Sequence, residues 1–430
     1  MNGEDGLALI RAALAHAPAP VTLRVAYSGG RDSHVLLHWL AGQRGQLAPH
    51  RLRAAHVDHG LQADAARWAE HCAAVCAALG VPLDLHRIDA RPAPGQSPEA
   101  AARRARYAAL AADMQDGDVL LTAHHQTDQA ETVLLALLRG AGVAGVAAMP
   151  AQQRFGRGWL LRPLLDWPAA RLARYAQEHR LDWVEDPSNR DARFDRNFLR
   201  GEVLPLLARR WPAATTTLAR HAAHAADAQA LLDDIATTDG ADAPQLTAAQ
   251  LAVLAPSRQR NLLRAWLYRH GAEAPSTARL DELLRQALTA AADRMPCVAF
   301  GGHAVRVWRG RLYLTPEPLP PPPQPRLWRL DAPLELPGIG RLRAQPQPGA
   351  GLKLAALGEP PMLEVRFRGA AGGHTLRKRL QELAVPPWQR ERWPLLYRGD
   401  RLLQIAGGEP APTVRAGPGE AGMRITFEPW

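Results

Sequence analysis

Residues 23–40 read LRVAYSGGRDSHVLLHWL, and the hydrophobic period changes in the middle of them. Leu23, Val25 and Tyr27 alternate with Arg24 and Ala26, the period of a short strand. From Asp32 onward Val35, Leu36 and Trp39 recur at helical spacing. Ser28-Gly29-Gly30-Arg31 is therefore a turn between a strand and a helix. Such a turn aims backbone N–H groups and the positive end of a helix dipole at one spot, an anion site whose usual guest is phosphate. Gly29 and Gly30 are expected to bring the backbone close and to take positive φ without a Cβ clash. Ser28 and Ser33 add hydroxyl donors, and Arg31 occupies the variable place between them. Asp32 would repel a phosphate unless a cation intervened, which points to Mg²⁺.

Working outward, the same alternation recurs. Leu52 to Val57 reads as a second strand running into Asp58, and Gln62 to Leu79 as a helix with Trp68, Cys72, Val75, Cys76 and Leu79 on its apolar face. A third strand spans Pro82 to Ile88. Ser97-Pro98-Glu99 opens a helix with a capping serine, a first-turn proline and an acid near the positive end. A fourth strand, Val119 to Ala123, ends at His124-His125, and Thr127 or Asp128 caps a helix to about Leu138. Strands alternating with helices imply a parallel sheet with right-handed crossovers. Ligands of such sheets sit beyond the carboxyl ends of the strands, so the turns after Tyr27, Val57 and Ala123 should converge. A glycine-rich loop (139–145), a strand (Trp159 to Leu165), a helix (Pro168 to His179) and a polar turn (185–191) follow.

Residues 201–290 are mainly helical, with a break at Thr237 to Pro244, and strand-like pieces occur at Cys297–Phe300, Val305–Trp308 and Arg311–Leu314. PEPLPPPPQP at 316–325 is a semi-rigid polyproline spacer. Beyond it lie short strands near 327–330, 339–344, 363–367 and 402–406, and one helix from Thr375 to Leu383. Leu376, Leu380 and Leu383 form its buried stripe, with Arg377, Lys378 and Arg379 on its exposed side. The expected organisation is α/β: a parallel-sheet, Rossmann-like catalytic domain over 1–205 and a mainly helical domain over 206–315. The linker at 316–325 then leads to a small α+β domain over 326–430.

Composition narrows the chemistry. The net charge of +10 and the pI of about 10.3 point to a polyanionic partner, most simply nucleic acid. Lys353 and Lys378 are the sole lysines, so no Schiff base or lysine phosphate clamp exists before residue 353. Cys72, Cys76 and Cys297 are too few and too odd for a disulfide framework and fit a reducing cytoplasm. The first two cysteines, one turn apart, read as small buried hydrophobes. Neither a signal peptide nor an apolar run approaching a membrane span of roughly 18 residues is evident. His124, Asp128 and Glu131 run from a strand end into the next helix; the two carboxylates suit either Mg²⁺ or an ammonium group, and helix capping is the plainer alternative.

SGGRDS directly after a strand lacks both the Walker pattern and G-x-G-x-x-G, and resembles the PP-loop of the N-type ATP pyrophosphatases. HVDHGLQ (56–62), AHHQTDQAETVLLALLRGAGVAG (123–145), RPLL (162–165), EDPSNRDARFDRNFLR (185–200) and LRKRLQELAVPPWQRERWPLL (376–396) follow in order. Together they resemble the tRNA(Ile)-lysidine synthetases. The resemblance implies an enzyme that uses ATP and Mg²⁺ to join free L-lysine to the wobble cytidine of a tRNA(Ile) with a CAU anticodon. An adenylated cytidine is the intermediate, and AMP and pyrophosphate are released. It implies ATP contacts from Ser28, Gly29, Gly30, Arg31, Asp32, Ser33 and Asp58, with Asp32 on the metal. Catalytic roles fall to Asp32, His124, Asp128, Glu131 and Arg200, and tRNA contacts to Arg196, Arg377, Lys378 and Arg379. A homodimer stays open. Two rivals are a PP-loop tRNA thiolase, which would want a cysteine pair at the crevice, and an inactive RNA-binding module.

Overall fold

A computed structural model describes residues 4–15, 17, 20–58, 65–88, 98–185, 191–291, 294–367 and 374–429. The expected cap at Ser97, the helix start at Gln62, most of the polar turn at 185–191 and the glycines at 369–373 lie outside the described residues. The chain divides into two compact units, Met1–Asp234 and Ile235–Trp430.

In chain order the first unit contains α1 (Glu4–Leu14), β1 (Thr22–Ala26), α2 (Arg31–Gly42), α3 (Arg44–Leu47), β2 (Arg51–Asp58), α4 (Ala65–Leu79) and β3 (Leu83–Arg87). Then come α5 (Pro98–Ala112), β4 (Val119–Leu121), α6 (Gln126–Leu138), α7 (Val143–Val146), β5 (Gln152–Phe155), β6 (Gly158–Leu161) and α8 (Ala169–Glu178). A last, interrupted helix consists of α9 (Asp195–Phe198), a π-helical turn (Leu199–Val203) and α10 (Leu204–Arg210). The sheet order is β3-β2-β1-β4-β6-β5. All pairings are parallel except β5 with β6. Leu23 and Val25 of β1 are fully buried, as are Leu121 and Leu161, and they pack with Val35, Leu36 and Leu40 of α2. Burial of each such side chain stabilises the fold by about 1.5–3 kcal/mol relative to exposure.

The β5–β6 hairpin departs from the expected single strand over Trp159 to Leu165. The strand stops at Leu161 because Pro163, two residues on, has no N–H for the ladder. Its first residue, Gly158, has to be glycine, because a Cβ there would sit 1.9 Å from the Asp118 carbonyl oxygen.

The second unit continues from α11 (Ala214–Thr238), whose last residues belong to it. Leu246 and Leu251, helix residues Leu262, Leu263, Trp266, Leu280 and Leu283, and strand residues Val298, Val305 and Leu312 share one buried cluster. After the prolines come two four-stranded sheets, antiparallel throughout. Strands over Pro394–Arg398 and Gly422–Pro429 were not expected. Trp388, from the segment beyond the proline stretch, packs against Tyr313 and Trp308 from the segment before it, with ring centroids 5.3 and 6.4 Å away. The helix His374–Glu382 buries Leu380 completely, while Leu383 just past its end is 36% exposed rather than part of the buried stripe. The helix ends one residue too early for Leu383 to lie over the same core. Arg377, Lys378 and Arg379 are exposed, as expected.

Candidate active site

From β1 the chain passes to β2 and β3 on one side of the sheet, and later returns to β4 and β6 on the other. The carboxyl ends of β1 and β4 therefore flank a topological switch point, where open α/β sheets bind ligands. SGGRDS leaves β1 there, and AHHQTD leaves β4.

The glycine turn is stapled from within. Ser33 Oγ donates to the Gly30 carbonyl (2.9 Å) and accepts from the Ser28 N–H (3.2 Å), while the two hydroxyls lie 3.0 Å apart. The serines thus shape the loop. Gly30 is the N-cap of α2 and offers no side chain to the first-turn N–H groups of Arg31, Asp32 and Ser33, which have no carbonyl one turn back. N–H groups so placed at a helix start are suited to an anion. Only Gly29 takes positive φ (+84°); Gly30, at φ −78° and ψ 162°, has ordinary extended backbone, correcting the expectation for both. Gly29 lies directly over Cys72, whose Sγ would stand 3.0 Å from a Cβ at that position. Cys72 and Cys76 are buried, and burial pushes their thiols up to about 12 and about 11. They are packing residues, as read from the sequence, and not thiolates.

Asp32 projects from the first turn of α2. Burial works against its charge, but His125 and Arg31 hold its carboxyl below the ordinary carboxylate range. His125 Nε2 stands 3.4 Å from Asp32 Oδ2, and Arg31 Nε 2.9 Å from Asp32 Oδ1. Across the crevice, His125 itself, not Thr127 or Asp128, is the N-cap of α6. Its Nδ1 accepts from the Thr127 N–H (3.2 Å), and Asp128 Oδ2 accepts from the His125 N–H (2.9 Å). The same imidazole lies 3.6 Å from Asp128 Oδ2 through Nε2. Burial disfavours a His125 cation, yet its bond to Asp32 and the charges of Asp128 and Asp32 raise its pKa. His125 was not singled out from the sequence. The signal available was its place directly before the helix, with an acid three residues on in capping-box spacing.

Asp128 and Glu131 face the same way, one turn apart. Both are held by Arg200, which sits in the π-helical turn. Arg200 Nε donates to Glu131 Oε1 (2.6 Å), and Nη2 to Glu131 Oε2 (3.1 Å) and Asp128 Oδ1 (2.8 Å). Glu131 is wholly buried, and burial lifts its pKa even against the Arg200 charge. Asp32, His125, Asp128, Arg200 and Glu131 thus form one unbroken polar chain from the glycine turn to the carboxylate pair.

Among the described residues His124 is not hydrogen-bonded into this chain; its Nδ1 lies 2.8 Å from Thr122 Oγ1. Burial, with the charges of Arg162, Arg103 and Arg196, brings its pKa down to about 3, so the ring is neutral at physiological pH. The same arginines crowd each other. Burial and Arg103 lower the pKa of Arg162, and burial with Arg103 and Arg196 lowers that of Arg106. These guanidinium groups form a basin of positive charge unread in the sequence. Arg196 reaches Thr132 Oγ1 at 3.5 Å, and Asn197 donates to the Asp191 carbonyl. Asp58 closes β2 on the same edge of the sheet.

Among the described residues no three His, Cys, Asp or Glu side chains converge as a metal-ligand set. Asp32, beside the glycine turn, is a carboxylate of the kind Mg²⁺ accepts where one or two carboxylates, water and substrate phosphates make up its shell.

Family models match the chain in three places: a PP-loop domain over residues 10–207, a TilS substrate binding domain over 246–313 and a TilS substrate C-terminal domain over 358–427. A tRNA(Ile)-lysidine synthase of Alkalilimnicola ehrlichii is 46% identical over 409 residues, spanning 92% of this chain and 91% of its own. The synthases of Methylococcus capsulatus and Coxiella burnetii are 43% and 42% identical, over 90% and 89% of this chain. The chain belongs to the tRNA(Ile)-lysidine synthase family. The switch-point loop is accordingly the PP-loop of a tRNA(Ile)-lysidine synthase fold, and the resemblance read from SGGRDS and the later motifs holds over nearly the whole length. Among solved structures a U34-tRNA thiolase of Methanococcus maripaludis aligns with a TM-score of 0.43 and 15% identity, over 51% of this chain and 77% of that one.

Proposed function

We propose that this chain joins L-lysine to C2 of the wobble cytidine in a tRNA(Ile) with a CAU anticodon, converting ATP to AMP and pyrophosphate. The observation that carries the reading is the continuous chain from Asp32 through His125 and Asp128 to Glu131. It sets a site for a cation directly beside a site for phosphate. The N–H groups at the start of α2 take the ATP phosphates, as helix N-termini do. Cytidine O2 attacks the α-phosphorus and pyrophosphate leaves. The lysine ε-amine then attacks C2, the C2–O2 bond breaks, and AMP leaves with the oxygen.

Asp32, with water and phosphate oxygens, is the residue that would hold Mg²⁺, which would supply charge neutralisation at phosphorus. Asp128 and Glu131 receive the ε-ammonium. Before attack that group must lose a proton, and Glu131, its pKa lifted by burial, is the better matched acceptor. His124, with a pKa of about 3 in this environment, serves to orient groups rather than to take the proton. The arginine basin at Arg103, Arg106, Arg162 and Arg196 suits phosphate, and Phe194 and Phe198, exposed one turn apart beside Arg196, suit stacking on unpaired bases. Arg377, Lys378 and Arg379 offer a further basic surface to the tRNA backbone. The thiolase alternative lacks a carrier, since the cysteines near the loop are buried thiols.

The test is mass spectrometry of the anticodon fragment after incubation with ATP, Mg²⁺ and isotopically labelled lysine. Label at the wobble cytidine is expected. Sulfur gained from a supplied donor, or no label under any condition, refutes the assignment.

A further inference from the structure

The carboxylate pair proposed for lysine is already filled. Arg200 spans it with three hydrogen bonds of 2.6–3.1 Å, using both oxygens of Glu131 and the one oxygen of Asp128 that the helix cap leaves over. An ε-ammonium needs those same oxygens. Glu131 is completely buried whereas the Arg200 side chain is 45% exposed, so the guanidinium closes the pocket from its open side. A second cation cannot enter beside it without placing two positive charges in contact.

We infer that Arg200 is an internal stand-in for the lysine ammonium, and that lysine enters only after a phosphate-bearing ligand draws Arg200 away. This rests on the lysine reading of Asp128 and Glu131. The chain around Arg200 is built for such a move. It lies in a π-helical turn between two α-helical pieces, a form common at functional sites and one that can revert locally to α. Gly201 follows it, and a Cβ there would meet nothing within 4 Å. Arginine is also the side chain best suited to exchange a carboxylate for a phosphate, since its planar fork matches either bidentately. Asp32, at the phosphate loop, is joined to Asp128 through His125, so phosphate bound at the loop lies within one residue of the pair that Arg200 holds.

The arrangement sets the order of the reaction. Without a phosphate-bearing ligand the amine pocket is shut; with one, Arg200 transfers to phosphate and the two carboxylates stand open to an ammonium. By linkage, whatever opens the pocket must tighten lysine binding, and lysine must tighten that ligand equally. The opening phosphate belongs either to ATP or to the tRNA, and separate additions distinguish them.

Equilibrium dialysis of radiolabelled lysine against the full chain tests the inference. The wild type is measured alone, with Mg²⁺ and α,β-methylene-ATP, with unmodified tRNA(Ile), and with both. Arg200→Met, which keeps the apolar stem but removes the guanidinium, is measured alone and with the nucleotide; Asp128→Asn is measured alongside. The expected result is weak binding to the wild type alone and roughly tenfold or greater tightening by the opening ligand. Arg200→Met should bind lysine tightly without any ligand and lose the nucleotide effect, while its turnover falls. A role confined to holding the fold would weaken lysine binding instead. If Arg200→Met gains no affinity while Asp128→Asn loses it, the latch is refuted and the lysine pocket stands. If Asp128→Asn leaves lysine affinity untouched, the pocket reading fails and the latch with it. Should Arg200→Met not fold, the wild-type series decides, and lysine affinity indifferent to both nucleotide and tRNA overturns the inference.

Discussion

Replacing Gly29 by alanine should damage the phosphate loop in two separable ways, and replacing Gly30 should not. At φ +84° an alanine Cβ at position 29 strains the backbone, at a cost of about 1–2 kcal/mol. The same Cβ would also stand 3.0 Å from Cys72 Sγ, closer than carbon and sulfur tolerate. Cys72 is fully buried with His56 Nδ1 3.4 Å away, so it has little room to yield, and overpacking adds about 1–3 kcal/mol. Together the two effects destabilise the catalytic unit by roughly 2–5 kcal/mol. At Gly30 the backbone is ordinary and a Cβ would meet Ser28 Oγ at 3.5 Å, normal contact. There the loss of unfolded-state entropy makes alanine neutral or slightly stabilising, by up to about 1 kcal/mol. The assay is urea unfolding of the full chain, following the transition that shifts when ATP and Mg²⁺ are added. A double-mutant cycle with Cys72→Ala separates the terms. Removing the sulfur should cancel the contact but not the strain, so Gly29→Ala should cost about 1–2 kcal/mol in that background. Additivity of the two substitutions within about 0.5 kcal/mol, or equal costs at positions 29 and 30, would refute this account of the loop.

Asp32→Asn keeps the shape of the loop but removes its charge, and pyrophosphate release should fall on the order of 10²–10³-fold with the fold intact; near-normal release would dismiss Asp32 as a metal holder. Asp32 also bears on acid stability. Its folded-state pKa lies below the unfolded value, so its contribution is present above about pH 4 and is lost as pH falls through the lower folded value. Asp32→Asn should therefore shallow the acid limb of the unfolding profile and leave the neutral region unchanged in slope. His124, with a pKa of about 3, does not titrate between pH 5 and 8, so His124→Asn should change kcat without moving any inflection of the pH–rate profile in that range. A shifted inflection would show that the ring does ionise there. Reversing charge at Arg377, Lys378 and Arg379 should weaken tRNA binding and reduce its salt slope by roughly 0.7–0.9 for each phosphate no longer neutralised, while ATP affinity holds; an unchanged slope on filter binding would remove that helix from the interface.

The chain announced its catalytic unit through local chemistry. A strand that ends in Ser-Gly-Gly, followed at once by helical spacing, needs no distant partner to be read, because period and turn residues act within a few positions. The same holds for the alternation through Leu138 and for the burial of Cys72 and Cys76 on one helical face. The site was legible only as separate pieces. Glu131 and Asp128 find Arg200 across 69 and 72 residues, and nothing in either segment names the other. His125 carried no assigned role in the sequence, and becomes the link between phosphate loop and carboxylates only when β4 is placed beside β1. Gly29 and Gly30 look identical in sequence, yet Gly29 alone takes positive φ and packs over Cys72. Backbone turns and apolar stripes are decided by neighbours a few residues away, so the sequence by itself determined them. Which charges meet, which histidine's pKa rises and which cation spans Asp128 and Glu131 depend on low-dielectric contacts between distant segments, and those only the tertiary structure decided.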